Sequence, residues 1–70
     1  MSTRDLPEQI GDLPRIGRPA NSALLSIGVS TLREVSEMRR SELLALHGVG
    51  PKAVRILETA LAEAGLAFSE

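Results

Sequence analysis

Residues 13–24, LPRIGRPANSAL, lie over residues 46–57, LHGVGPKAVRIL, at an offset of 33 positions. Leu13 matches Leu46, Gly17 matches Gly50, Ala20 matches Ala53 and Leu24 matches Leu57, while Ile16 and Val49 are both β-branched and apolar. In each copy the second glycine position stands at the start of a helical pattern, and the matched alanine and leucine fall on its apolar face. A chain of 70 residues has room for one domain. Whatever it folds into must therefore place two glycine turns, each feeding a helix, within a single small core.

The punctuation between these copies is regular. The stretch RPANSALLSIG predicts a first helix over about residues 18–27, ended by Gly28 in a left-handed cap with Val29 folding back on Leu24. Ser30 and Thr31 follow as N-caps, with Glu34 completing a capping box for a short second helix running to about Met38. Ser41 is the expected cap of a third short helix, SELLAL. Gly50 and Pro51 then open the longest helix, PKAVRILETALAEA, which Gly65 closes with Leu66 returning to Leu61. Its apolar stripe is Ala53, Val54, Leu57, Ala60, Leu61 and Ala64. No period-two alternation is long enough for a strand.

The core material agrees with helices. It consists of 11 Leu, 8 Ala, 4 Ile and 4 Val, with Phe68 the one aromatic residue, a mixture suited to packed helices rather than aromatic-anchored sheets. There is no cysteine, so neither a disulfide framework nor a thiolate metal cage supports the fold. The longest uncharged stretch, residues 19–32, spans only 14 positions and carries Asn21 and several serines, too short and too polar for a membrane span. The expectation is an all-α fold, a compact monomeric bundle of four to five short helices, residing in the cytoplasm. Residues 1–12 read as a flexible N-terminal arm, pinned at most by Leu6 and Ile10, with Asp5, Glu8 and Asp12 as a solubilising acidic tail. Residues 13–70 form the domain. Its expected core includes Leu13, Ile16, Leu24, Ile27, Leu32, Leu44, Leu46, Val49, Leu57 and Leu61.

The turn at residues 46–50, LHGVG, has the shape of a helix-hairpin-helix turn. Gly48 and Gly50 permit positive φ and close approach of a partner to the backbone. Val49 points inward, and the N–H groups at the start of the next helix face outward as a phosphate site. In the first copy Arg15 stands where Gly48 stands in the second, which calls for a more irregular or extended turn. Charge supports the same reading. The net charge is −1, yet residues 13–22 and 43–57 carry Arg15, Arg18, Lys52 and Arg55 and no carboxylate. Arg18 and Lys52 lie at helix N-termini, where cations oppose the helix dipole by about 0.3–1 kcal/mol each. A local rule broken twice at equivalent places is what an anion-binding site requires.

The residues RPANS at 18–22, Leu24, Gly28 and Val29, TLREV at 31–35, ELL at 42–44, GPK at 50–52 and GLAF at 65–68 together resemble the C-terminal domain of the bacterial RNA polymerase alpha subunit over residues 12–68. The resemblance implies a tandem helix-hairpin-helix fold. It also implies binding to AT-rich double-stranded DNA across the minor groove, with contacts to transcription proteins. It implies that Arg18 enters the groove with Asn21 as its partner, and that Gly50 and Lys52 contact the DNA backbone. Ser22 stands where the family often has cysteine, Ala53 where it has serine, and Arg55 where it has glutamate. The half of the subunit that assembles polymerase has no counterpart, so a free-standing relative, nucleoid-associated when bound to DNA, is expected.

The expected DNA-binding set is thus Arg15, Arg18, Asn21, Gly48, Gly50, Lys52 and Arg55. No metal or other cofactor is expected, since His47 is the lone histidine and reads as a turn residue. No base is placed to activate a serine, so enzymatic chemistry is not expected. Arg39 and Arg40 read as a solvated pair and Phe68 as core closure. The alternative function is a protein-protein interaction module on the same helical scaffold.

Overall fold

Glycine and proline decide where the long helices of this chain start and stop. The computed structural model describes residues 9–69, which form four helices: α1 (Arg18–Ser26), α2 (Leu32–Ser36), α3 (Arg40–Leu44) and α4 (Pro51–Glu63). Among the described residues there is no strand, and no helix is long and apolar enough to cross a membrane. The Cα radius of gyration is 11.0 Å.

α1 and α4 end alike. Gly28 adopts φ 77° and Gly65 φ 76°. The N–H of Val29 donates to the Leu24 carbonyl at 2.9 Å and that of Leu66 to the Leu61 carbonyl at 2.7 Å. The glycine N–H groups reach Leu25 and Ala62, which completes a Schellman ending at both places.

α2 and α3 are instead sealed at their starts by carboxylates. The Thr31 hydroxyl oxygen accepts the Glu34 N–H at 3.1 Å, while Glu34 Oε1 accepts the Ser30 N–H at 3.0 Å and the Thr31 hydroxyl at 3.1 Å. The Ser30 N–H, and after it the Thr31 hydroxyl, hold the Glu34 carboxyl below its ordinary value. At α3 the N-cap is Arg39, whose N–H donates to Glu42 Oε1 at 2.8 Å. Ser41, expected as the cap, lies inside the helix, because Glu42 satisfies the Arg39 donor and draws the helix start forward. α2 stops at Ser36 rather than near Met38, as the N–H groups of Glu37 and Met38 reach back only three residues, to Glu34 and Val35.

The core is built from Leu13, Leu24, Val35, Leu43, Leu57 and Leu61, all fully buried. α4 packs against both α2 and α3. Two expected core residues are corrected. Ile27 is 45% exposed, because the Schellman turn reverses the chain there and delivers Val29 to the interior in its place. Leu44 is 44% exposed, since Leu43 occupies the inward position of α3 and the next residue is rotated by about 100°. Ile16 and Leu46 are half-buried against the core, and Ala64, at the end of the α4 stripe, is exposed.

Two residues ahead of Leu13 also join the packing. Ile10 is buried, and Asp12 Oδ1 accepts the Leu32 N–H at 2.8 Å, so Asp12 caps α2 rather than serving as a solubilising tail. Gly11, at φ 50°, lies so close to the chain that a Cβ there would stand 1.9 Å from the Ser30 carbonyl oxygen. Leu6, Asp5 and Glu8, assigned to the arm, lie outside the described residues. At the other end the Ser69 N–H donates to the Met38 carbonyl at 3.0 Å. Phe68 packs half-buried against the core beneath the Arg40 guanidinium, 5.4 Å from the ring centroid. Arg40 also pairs with Glu58, so it is part of a local network instead of a solvated pair.

Candidate nucleic-acid interface

Residues 33 positions apart in the two sequence copies take equivalent positions on α1 and α4. Gly17 is the N-cap of α1 and Gly50 the N-cap of α4, and neither helix start has a side-chain cap. Ala20 and Ala53 are both buried, as are Leu24 and Leu57. The first main-chain bond of α1 runs from the Asn21 N–H to the Gly17 carbonyl at 3.0 Å, and that of α4 from Val54 to Gly50 at 3.1 Å. The N–H groups of Arg18, Ala20, Lys52 and Ala53 therefore precede their helical ladders. Neither first turn contains an acidic residue, whereas α2 has Glu34 and α3 has Glu42 in theirs.

These two open helix starts meet. Gly17 and Gly50 line one cavity of about 420 Å³, together with Arg15, Gly48 and Lys52. A second groove, of about 500 Å³, adjoins it at Gly48 and is lined by Arg18, Pro19, Ser22 and His47 among others. Arg15, Arg18 and Lys52 are all exposed. Main-chain donors at two helix N-termini, with three cations around them, form a surface that can hold anions.

The glycines play different parts. Gly48 adopts φ 96°, and a Cβ on it would lie 2.7 Å from the Pro19 carbonyl oxygen. Its backbone thus approaches α1 closely. Gly50 has φ −110°, an extended conformation open to any residue, so the positive φ that glycine permits is not used there. A Cβ on Gly50 meets nothing within 4 Å. No internal packing or backbone geometry demands glycine at that position. In the first copy the positive φ falls on Gly17, at 96°, while Arg15, at the position equivalent to Gly48, has no positive φ.

Two further members of the expected set are placed elsewhere. Asn21 is 0% exposed, lying on the buried face of α1 with Ala20 and Leu24, so it presents no surface to a ligand in this conformation. Arg55 turns away from the Lys52 cavity. On α4, Lys52, Ala53 and Ile56 face that cavity, while Arg55 lines a groove of about 190 Å³ with Arg40, Leu44 and Glu58. The structure brings together Arg15, Gly48, Gly50 and Lys52, with Arg18 in the adjoining groove. It adds His47, which the sequence reading treated only as a turn residue. The one signal for His47 was its place beside Gly48, the glycine that docks the turn on α1.

Comparison of the chain with protein-family models, curated proteins and solved structures finds no match.

Proposed function

We propose that this chain is a small DNA-binding module. In this reading it holds duplex backbone phosphates at the paired starts of α1 and α4, arranged as tandem helix-hairpin-helix turns, and reads minor-groove shape with Arg18. The observation that carries the proposal is the contrast between helix starts. α2 and α3 are closed by Glu34 and Glu42, whereas α1 and α4 begin on bare glycines with Arg18 and Lys52 and share a cavity at those ends. A glycine N-cap with open space before it, at Gly50, admits a phosphate to the main-chain donors, where a larger side chain would stand in the way. The sequence resemblance to the polymerase alpha C-terminal domain supports the same assignment for Arg18, Gly50 and Lys52 and suggests a role connected with transcription.

With Arg15, Arg18 and Lys52 on the contact face, about three phosphates are neutralised, which implies a log–log salt slope near −3. Contacts this few correspond to affinities in the micromolar range or weaker. The test is a titration of labelled AT-rich and GC-rich duplexes at two salt concentrations. Salt-sensitive binding with preference for the AT-rich duplex supports the proposal, and absence of duplex binding at low salt overturns it.

A protein-interaction module is the second reading, favoured by one feature. Leu44 is exposed in the groove that also holds Arg55, away from the paired helix starts. If the duplex fails to bind while a protein partner is retained in a manner that requires Leu44, this reading replaces the first.

A further inference from the structure

The groove between α1 and the turn after α3 has a chemistry that the phosphate cavity beside it lacks. It is lined by Pro19 and Ala23, which offer no polar side-chain atom, by Ser22 and Ser26, and by two basic side chains, Arg18 and His47. Its volume is about 500 Å³. The Ser26 hydroxyl donates back to the Ala23 carbonyl at 2.7 Å, which leaves its oxygen as an acceptor. His47 is exposed, yet its backbone is held on both sides. Leu46 packs against the core, the Val49 N–H donates to the Leu46 carbonyl at 3.2 Å, and Gly48 rests against the Pro19 carbonyl. The backbone that carries the imidazole is therefore held beside the groove.

Among the described residues, the charged side chains lining this groove and the cavity beside it are cationic. Arg18 faces the groove from α1, and Arg15 and Lys52 line the adjoining cavity across Gly48. No carboxylate of the described residues lines either space. An apolar stretch bounded by cations matches a sugar–phosphate strand, whose deoxyribose is apolar on its faces and whose diester is anionic.

We infer that His47 is a protonation-dependent phosphate contact, and that this groove takes one backbone strand of the duplex between Arg18 and the imidazolium. The inference rests on the DNA-binding reading and deepens it. A phosphate diester in the groove favours the protonated ring, which donates a charge-assisted N–H to a phosphate oxygen. Imidazole is the side chain that changes charge between about pH 5 and 8, so duplex binding takes up a proton and tightens as pH falls. Guanidinium and ammonium side chains in general change charge only well above this range.

The test is titration of one AT-rich duplex at pH 7.5 and pH 5.5 and fixed ionic strength, with wild type, His47→Gln and His47→Lys. Far-UV circular dichroism checks helix content in each sample. The wild type is expected to bind about tenfold tighter at the lower pH, with a salt slope steeper by about one unit. His47→Gln should lose this gain, and His47→Lys should bind tightly at both pH values. A wild-type affinity that does not change with pH, or a gain retained by His47→Gln, overturns the inference while leaving the DNA-binding reading intact. Absence of duplex binding at either pH overturns both.

Discussion

Gly48 stands directly against the carbonyl of Pro19, so close that a Cβ on Gly48 would be 2.7 Å from the carbonyl oxygen and 3.1 Å from its carbon. This contact docks the turn before α4 onto the first turn of α1. It sets the two helix starts beside each other and makes the Lys52 cavity and the His47 groove neighbours. A methyl group there meets main chain, which cannot rotate away, and φ 96° is itself costly for a side-chain-bearing residue. Gly48→Ala is therefore expected to destabilise the fold by about 1–3 kcal/mol. Urea unfolding of both proteins checks this, and an unchanged midpoint would contradict the docking role.

The burial pattern makes a second prediction. Leu57 is fully buried on α4, whereas Leu44 on α3 is 44% exposed. Leu57→Ala should cost about 2–5 kcal/mol, while Leu44→Ser should stay within about 0.5 kcal/mol of wild type. Thermal unfolding distinguishes them, and equal losses would mean that the inward face of α3 has been misassigned.

Much of this architecture was legible in the sequence, because helix ends are written in local chemistry. Gly28 and Gly65 close α1 and α4, as the cap signals implied, and Gly17 and Gly50 open them, as the repeat implied. What lay beyond reach depends on contacts between distant residues. Asp12 caps α2 from 20 positions away, and nothing near Asp12 announces it. Asn21 was expected beside Arg18 at the DNA through the family resemblance, and only the packing of α1 puts it inside. Lys52 and Arg55 are separated by about 60° around α4, too little for a helical pattern to show that they line different grooves. Ile27 carried the right spacing for the core, but the chain reverses just after it.

Glu34 gives a pH prediction. Its carboxylate accepts the Ser30 N–H and the Thr31 hydroxyl, and these bonds lower its affinity for a proton in the folded state. A depressed carboxylate contributes stability that is present above its unfolded value and lost as pH falls through the folded one. Stability should therefore decline on acidification below about pH 4.5 more steeply in wild type than in Glu34→Gln. Parallel acid unfolding curves for the two proteins would show that the Glu34 bonds do not contribute.

Lys52 and Arg18 should separate positioning from reading. Lys52→Ala removes a phosphate contact, so it should weaken all duplexes alike and flatten the salt slope by about one unit. Arg18→Ala should reduce affinity by about 1–3 kcal/mol and also remove the preference for AT-rich over GC-rich duplex, since a narrow minor groove concentrates negative potential around an inserted guanidinium. Competition between the two duplexes measures both effects. Equal losses on both duplexes for Arg18→Ala would leave it as one more phosphate contact.

The central claim is that the uncapped start of α4 is open in order to receive a phosphate, and Gly50→Asp tests it most directly. An aspartate fits the extended backbone at Gly50, meets nothing within 4 Å, and can cap the first-turn N–H groups itself. By the capping and dipole rules it is expected to raise stability by a few tenths to about 1 kcal/mol. The same carboxylate occupies the donors that a phosphate would use and repels it. Duplex titration of wild type and Gly50→Asp, each with its unfolding curve, should give a more stable protein whose duplex affinity falls at least tenfold. A Gly50→Asp protein that is equally folded and binds duplex as tightly as wild type would contradict the account.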